Sequence, residues 1–163
     1  MATFGVNFEV QGLDAVKELR TALAATDAAT AKEKLTKRIN DATPALVSAL
    51  QSAAMAIPAS GRTARRDGQS LRAALSAAIR IDRTSDGARV FVDSARMPEG
   101  SKQMAYAFDK PDGWRHPVFG LPSSVQQDGH PWFHPTVAGH RRDFDAAGES
   151  AVEDIAQSLG LRR

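Results

Sequence analysis

The residues that could do chemistry are histidines and carboxylates. His116, His130, His134 and His140 fall within 25 residues, with Asp128 and Asp143 beside them, a set that could ligate zinc or move protons. Their setting argues against both. A catalytic zinc site typically takes a histidine pair at i, i+4 on a helix. His130 and His134 have that spacing, but Pro131 and Pro135 predict extended or turning backbone there and no helix. The chain has no cysteine, no Gly-x-Ser-x-Gly elbow and no serine in a strand-turn-helix context. It also has no glycine-rich dinucleotide fingerprint, and no carboxylate pair stands out for glycosidic work. The sequence is read as non-enzymatic: no catalytic residues, no metal and no cofactor, with the histidines structural.

Three of those histidines belong to the most distinctive stretch of the chain, from Pro111 to Pro135. It also holds both tryptophans, five of the eight prolines and three glycines. Prolines at that density exclude a long helix and predict an ordered loop or an edge-strand excursion. Trp114, Phe119, Trp132 and Phe133 are too much apolar surface to leave in water, so the stretch is expected to pack on the body or on a partner.

The elements that must carry this stretch follow from periodicity. Phe4, Val6, Phe8 and Val10 alternate with polar residues or glycine, which predicts a strand ending at Gly12. Leu13, Val16 and Leu23 predict a short amphipathic helix after it. From Ala28 to Ile57 a stripe at Leu35, Ile39, Ala42, Leu46, Ala49 and Ala53 predicts one long helix that Pro44 kinks without breaking. Ile57 to Gln69 is a solvated loop carrying Arg62, Arg65 and Arg66. Ser70 caps a short helix through Leu71, Leu75 and Ala78. Ile79-Arg80-Ile81-Asp82 and Arg89 to Asp93, joined by Thr84-Ser85-Asp86-Gly87, read as a hairpin. Met97 to Phe108 is expected to form a short helix bearing Met104, Tyr106 and Phe108. Val137, Arg141, Phe144, Gly148, Val152, Ile155 and Leu159 mark a terminal helix with Gly160 as its C-cap. The expected fold is α+β, one domain over residues 1–163: a small antiparallel sheet, made of the N-terminal strand plus the hairpin, packed against the long kinked helix and the C-terminal helix.

Composition sets the outer bounds. A chain of 163 residues is long enough to bury about two-thirds of its unfolded surface around a single core. No apolar run approaches the ~18 residues of a membrane span, and the N-terminus lacks the pattern of a signal peptide. A soluble, non-exported protein with no membrane partner is expected, and the absence of cysteine suits a reducing cytosol. The net charge is +2, and residues 61–120, with eleven bases against seven acids, carry the basic character. That is too sparse a basic face for a dedicated nucleic-acid binder.

Gly113-Trp114-Arg115-His116-Pro117-Val118-Phe119-Gly120, a polar spacer, and Pro131-Trp132-Phe133 with Pro135 before a terminal helix resemble the small neck and tail-completion proteins of long-tailed double-stranded DNA bacteriophages. Members of that family are often described as minor tail or head-tail connector proteins. The likeness extends to the order of elements over most of the chain. It implies a structural virion protein, assembled in the host cytoplasm, that forms a homo-oligomeric, six-fold ring between the portal side of the head and the tail tube. Neighbouring neck, tail-terminator and tail-tube proteins would be its partners, with room for non-specific contact with DNA in the channel. Arginine and tryptophan are enriched among interface anchors, so the candidate contacts are Arg62, Arg65, Arg66, Trp114, Arg115, His116, Phe119, Trp132 and Phe133. The other reading is a monomeric adaptor whose Pro- and Trp-rich surface captures a protein or peptide.

Overall fold

The computed structural model describes residues 4–8, 28–58, 70–84, 87–117 and 124–158. The long stripe does form one helix, α1 (Ala28–Ala56), with Pro44 inside it. Its buried line is Ala31, Ile39, Thr43, Leu46, Leu50 and Ala54, continued by Ile57 just past its end. The expected Ala42, Ala49 and Ala53 lie only partly buried beside it. The helix turns its larger leucine inward, because Leu50 removes more apolar surface from water than Ala49 does. Thr43 can be fully buried because its Oγ1 donates to the carbonyl of Ile39 at 2.7 Å, which avoids an unmade hydrogen bond in the core.

The short helix α2 (Leu71–Ala78) starts as expected: the Ser70 hydroxyl accepts the N–H of Ala73 at 3.1 Å. Arg72 on its first turn reaches back to the end of α1 and donates to the carbonyls of Ile57 at 3.1 Å and Met55 at 3.3 Å. A cation thereby satisfies carbonyls that a helix end leaves open.

The hairpin is β2 (Ile79–Thr84) and β3 (Gly87–Val92). β3 also pairs antiparallel with β1 (Phe4–Phe8), so the sheet order is β1-β3-β2. The register pairs Val92 with Phe4 and Ile79, and Val90 with Val6 and Ile81. Val90, Val92 and Ile79 are buried in the core against α1. The opposite face pairs Arg80 with Phe91 and Asp82 with Arg89, and there the Arg89 guanidinium lies 5.1 Å from the Phe91 ring centre.

Between Met97 and Phe108 the expected helix is shorter. A 3₁₀ turn at Ser94–Arg96 precedes Pro98 and Gly100, and helix α3 covers Met104–Asp109 alone. Gly100 has φ +77°, which helical backbone does not accept. Two further strands, β4 (Trp114–Pro117) and β5 (Ser124–Gln127), form a separate antiparallel ladder. The terminal helix is two helices, α4 (Phe133–Gly139) and α5 (Arg141–Ser158), meeting at His140. Pro135 lies in the first turn of α4, contrary to the expectation of non-helical backbone at His134. A proline is tolerated there because its missing N–H has no intrahelical partner to lose.

α5 lies along α1 and buries Phe144, Gly148, Ala151 and Ile155. Of the expected stripe Arg141 is exposed and Val152 is only partly buried, Ala151 taking the inward position. Arg38 of α1 clamps Asp154 of α5, with Nε at 2.9 Å and Nη2 at 2.7 Å from Oδ2. The pair is partly exposed, so packing and not charge holds the two helices together. The architecture is α+β: the small sheet, the long helix and the C-terminal helix share one core. Among the described residues no helix is long and apolar enough to cross a membrane. The predicted helix after Gly12, the Gly160 cap and the loop with Arg62, Arg65 and Arg66 lie outside the described residues.

Candidate functional site

The Pro111–Pro135 stretch is an excursion pinned where it leaves and where it returns. Leaving, the chain ends α3 at Asp109, which is buried with 7 % exposure. Returning, it starts α4, whose first N–H groups have no helical partner of their own. Asp109 satisfies them from across the fold. Its Oδ1 accepts the N–H of Trp132 and of Phe133, each at 2.7 Å. Its Oδ2 accepts the N–H of His134 at 3.5 Å and contacts Nδ1 of the same histidine. A carboxylate at this end of a helix also meets the positive end of the helix dipole. A backbone bond from His130 N–H to the carbonyl of Phe108, at 2.7 Å, closes the root.

Two glycines let the outgoing and returning chains touch. A Cβ on Gly129 would lie 1.5 Å from the carbonyl oxygen of Lys110, and one on Gly113, whose φ is +69°, would lie 1.8 Å from that of Gln127. No larger residue fits either position without moving backbone. Beyond this crossing the ladder pairs Trp114 with Gln127, Arg115 with Gln126, His116 with Val125 and Pro117 with Ser124.

The structure sorts the candidate contact residues into three groups. Trp132 (4 % exposed) and Phe133 (0 %) are core residues, packed edge to face at 5.4 Å, with the indole N–H donating to the carbonyl of Ala105 at 3.4 Å. They fill the space beside α1 and are already desolvated, so they cannot anchor a partner as first expected. Trp114, Arg115 and His116 lie on β4. Trp114 is half-buried against Phe108, edge to face at 5.0 Å, and exposed Arg115 donates to Gln126 across the ladder at 3.3 Å. Arg62, Arg65, Arg66 and Phe119 fall outside the described residues, as does the side chain of His116.

A groove of about 560 Å³ opens at the root, walled by Tyr106, Lys110, Pro111, Pro131 and Pro135, with the Asp109–His134 pair beside them. An aspartate held against a histidine ring is two-thirds of a hydrolytic triad. The lining offers no serine, threonine or cysteine as the third member. Thr136, the hydroxyl nearest in sequence, donates to the carbonyl of Trp132 at 2.6 Å. The second carboxylate–histidine pair is His140 with Asp143, at 2.7 Å, a local contact at the junction of α4 and α5. Among the described residues no three histidine or acidic side chains converge as a metal ion requires. Asp109 was missed from sequence because its partners stand 23 to 25 positions away; the only local sign is an acid at the end of a helical run before Lys110-Pro111.

The chain matches no family model, and no curated protein or solved structure is significantly similar to it.

Proposed function

We propose that this chain is a structural subunit of a bacteriophage neck or tail-completion ring, joining the portal side of the head to the tail tube. One observation carries the reading. The β4–β5 arm stands on a locked root, and beyond the Trp114–Phe108 ring contact at that root the two strands pack mainly on each other among the described helices and strands. An isolated two-stranded hairpin is marginal in water, so an arm held this way is built to be completed by another surface. It also carries Trp114-Arg115-His116-Pro117, one part of the motif on which the resemblance to neck proteins rests. The work done is assembly and not turnover, with copies of the chain and adjoining neck and tail proteins as partners, in the virion. Arg115 on the arm is the described cation best placed to meet an acidic neighbour or the phosphates of channel DNA.

Imaging of the native particle tests this: a closed ring of copies between portal and tail tube is expected. An isolated single copy, touching none of its own kind, would refute it. The groove at the root favours a second reading, a monomeric adaptor that captures a peptide. Light scattering on the purified chain separates the two, since an adaptor stays monomeric at every concentration.

A further inference from the structure

β2 lies at one edge of the three-stranded sheet, and its hydrogen bonds define what that edge presents. One step before the Ile79–Val92 pair, the register sets Ala78 opposite Asp93, whose N–H donates to the Ala78 carbonyl at 2.8 Å. Antiparallel pairs alternate between bonded and non-bonded, so Arg80, Asp82 and Thr84 turn their backbone groups toward β3. Ile79, Ile81 and Arg83 turn theirs away. Ile79 is already served: its N–H donates to the carbonyl of Ser76, and its own carbonyl accepts Arg80 Nη1 at 3.0 Å. Among the described residues, no other strand or loop backbone bonds Ile81 or Arg83 on that side.

An open edge is a template for another strand, and charges placed on it commonly keep strands away. Here the charges are of both signs, two positions apart. Arg80 and Asp82 project from the same face, and Asp82 is exposed with no ion pair to any described residue. A second β2 laid antiparallel, with a two-fold axis at Ile81, sets Arg80 of each copy opposite Asp82 of the other. These are the non-bonded positions, where opposed Cα atoms stand closest, at ~4.5 Å. Moving the axis by one residue brings Asp82 against Asp82 or Arg80 against Arg80, and like charges directly opposite oppose pairing. The charge pattern therefore selects one register and one partner.

We propose that the β2 edge pairs antiparallel with β2 of a second copy about a two-fold axis at Ile81, joining two three-stranded sheets into one of six. The N–H and carbonyl of Ile81 bond their counterparts across the axis. Arg80 turns from the Ile79 carbonyl to the Asp82 carboxylate of the second copy, and the released carbonyl accepts the N–H of that copy's Arg83. Half-buried Ile81, at the rim of the core, meets its counterpart on the face toward α1. A single strand pair buries less than the ~1,200 Å² at which stable interfaces begin, so the dimer is weak and reversible, and salt weakens it further. Such a contact is isologous and closes after two copies. It goes beyond the ring reading and uses none of the arm's surface.

Sedimentation equilibrium of the full-length chain, over a concentration and salt series, tests the contact. Reversible dimers are expected. Arg80→Asp sets acid against acid at both positions and Asp82→Arg sets base against base, so each variant alone should associate about tenfold or more weakly. Mixed in equal amounts, the two present opposite charges at both positions and should recover the original association as heterodimers, which only folded chains can do. Asp82→Asn, a milder change at an exposed position, should weaken dimers less and remove most of their salt dependence. A chain that stays monomeric at the highest attainable concentration would overturn the contact. Single variants that associate as well as the parent, a mixture no tighter than its components, or an unchanged salt dependence in Asp82→Asn would overturn it equally. None of these results bears on the ring reading, which imaging of the native particle decides.

Discussion

The body and the arm obey different rules, although a single stretch of sequence contributes to both. In the body, Leu46, Leu50, Leu75 and Phe133 are fully enclosed, and α1, α5 and the sheet bury one another. In the arm, four ladder pairs stand beyond the root, with Arg115 and Gln126 both exposed. Burial holds the body; the arm is held at its root by one carboxylate, two glycines and a ring contact. An aromatic count alone cannot tell these roles apart: Trp132 and Trp114 stand 18 positions apart in one motif, and the structure sends one to the core and leaves the other half-buried at the arm's base.

The sharpest test of that division is at the core end. Trp132→Ala or Phe133→Ala should cost about 3–5 kcal/mol by transfer and cavity terms together, read from the urea midpoint. His130→Ala, in a half-buried residue whose described bond is made by its backbone, should cost far less. Equal, small losses for all three would place the motif outside the core.

Next in size is the root. Asp109→Ala should cost about 2–4 kcal/mol, because two buried N–H groups at the start of α4 lose their acceptor at once. Asp109→Asn keeps an oxygen for them and should recover more than half of the loss. If Asn proves no better than Ala, charge toward His134 and not capping is what matters there.

Gly129→Ala should follow at about 1–3 kcal/mol, since its Cβ would collide with backbone, as in overpacked sites. Gly100 is the control: its φ is +77° but nothing lies within 4 Å of an added Cβ, so Gly100→Ala should cost only ~1–2 kcal/mol of backbone strain. Melting curves of the two variants, with circular dichroism to follow the ladder, distinguish collision from strain.

What the sequence made legible was local. Alternation marked β1 and the hairpin, Ser70 marked its helix, and the apolar stripe marked α1 even through Pro44. What stayed hidden was decided by tertiary partners. Leu50 displaced Ala49 from the buried line because the larger side chain gains more from leaving water. Asp109 became the cap of a helix more than 20 positions later, and no residue near it announces that. Pro135 looked like a helix breaker because its rule depends on position: the same ring that disrupts an interior turn suits the first one. The candidate contacts suffered in the same way, since Trp132 and Phe133 have the composition of an interface and the burial of a core.

The smallest expected change in stability is also the most informative about the arm. Arg115 is exposed, and its described bond is a cross-strand one to Gln126 at 3.3 Å, so Arg115→Glu should shift the stability of the isolated chain by no more than about 0.5 kcal/mol. Self-association is another matter. If the arm meets a neighbour, reversing its one described cation changes both the charge and the fork-shaped donor geometry presented there, and the association constant should fall several-fold or more. Sedimentation across a concentration series, run beside a thermal melt of the monomeric fraction, measures the two effects separately. Loss of both would mean that the arm is a working part of the body, and the contrast between the regions would collapse. Loss of neither would mean that this face of the arm meets nothing. Loss of association alone is the result expected of an arm whose root belongs to one subunit and whose ladder belongs to the assembly.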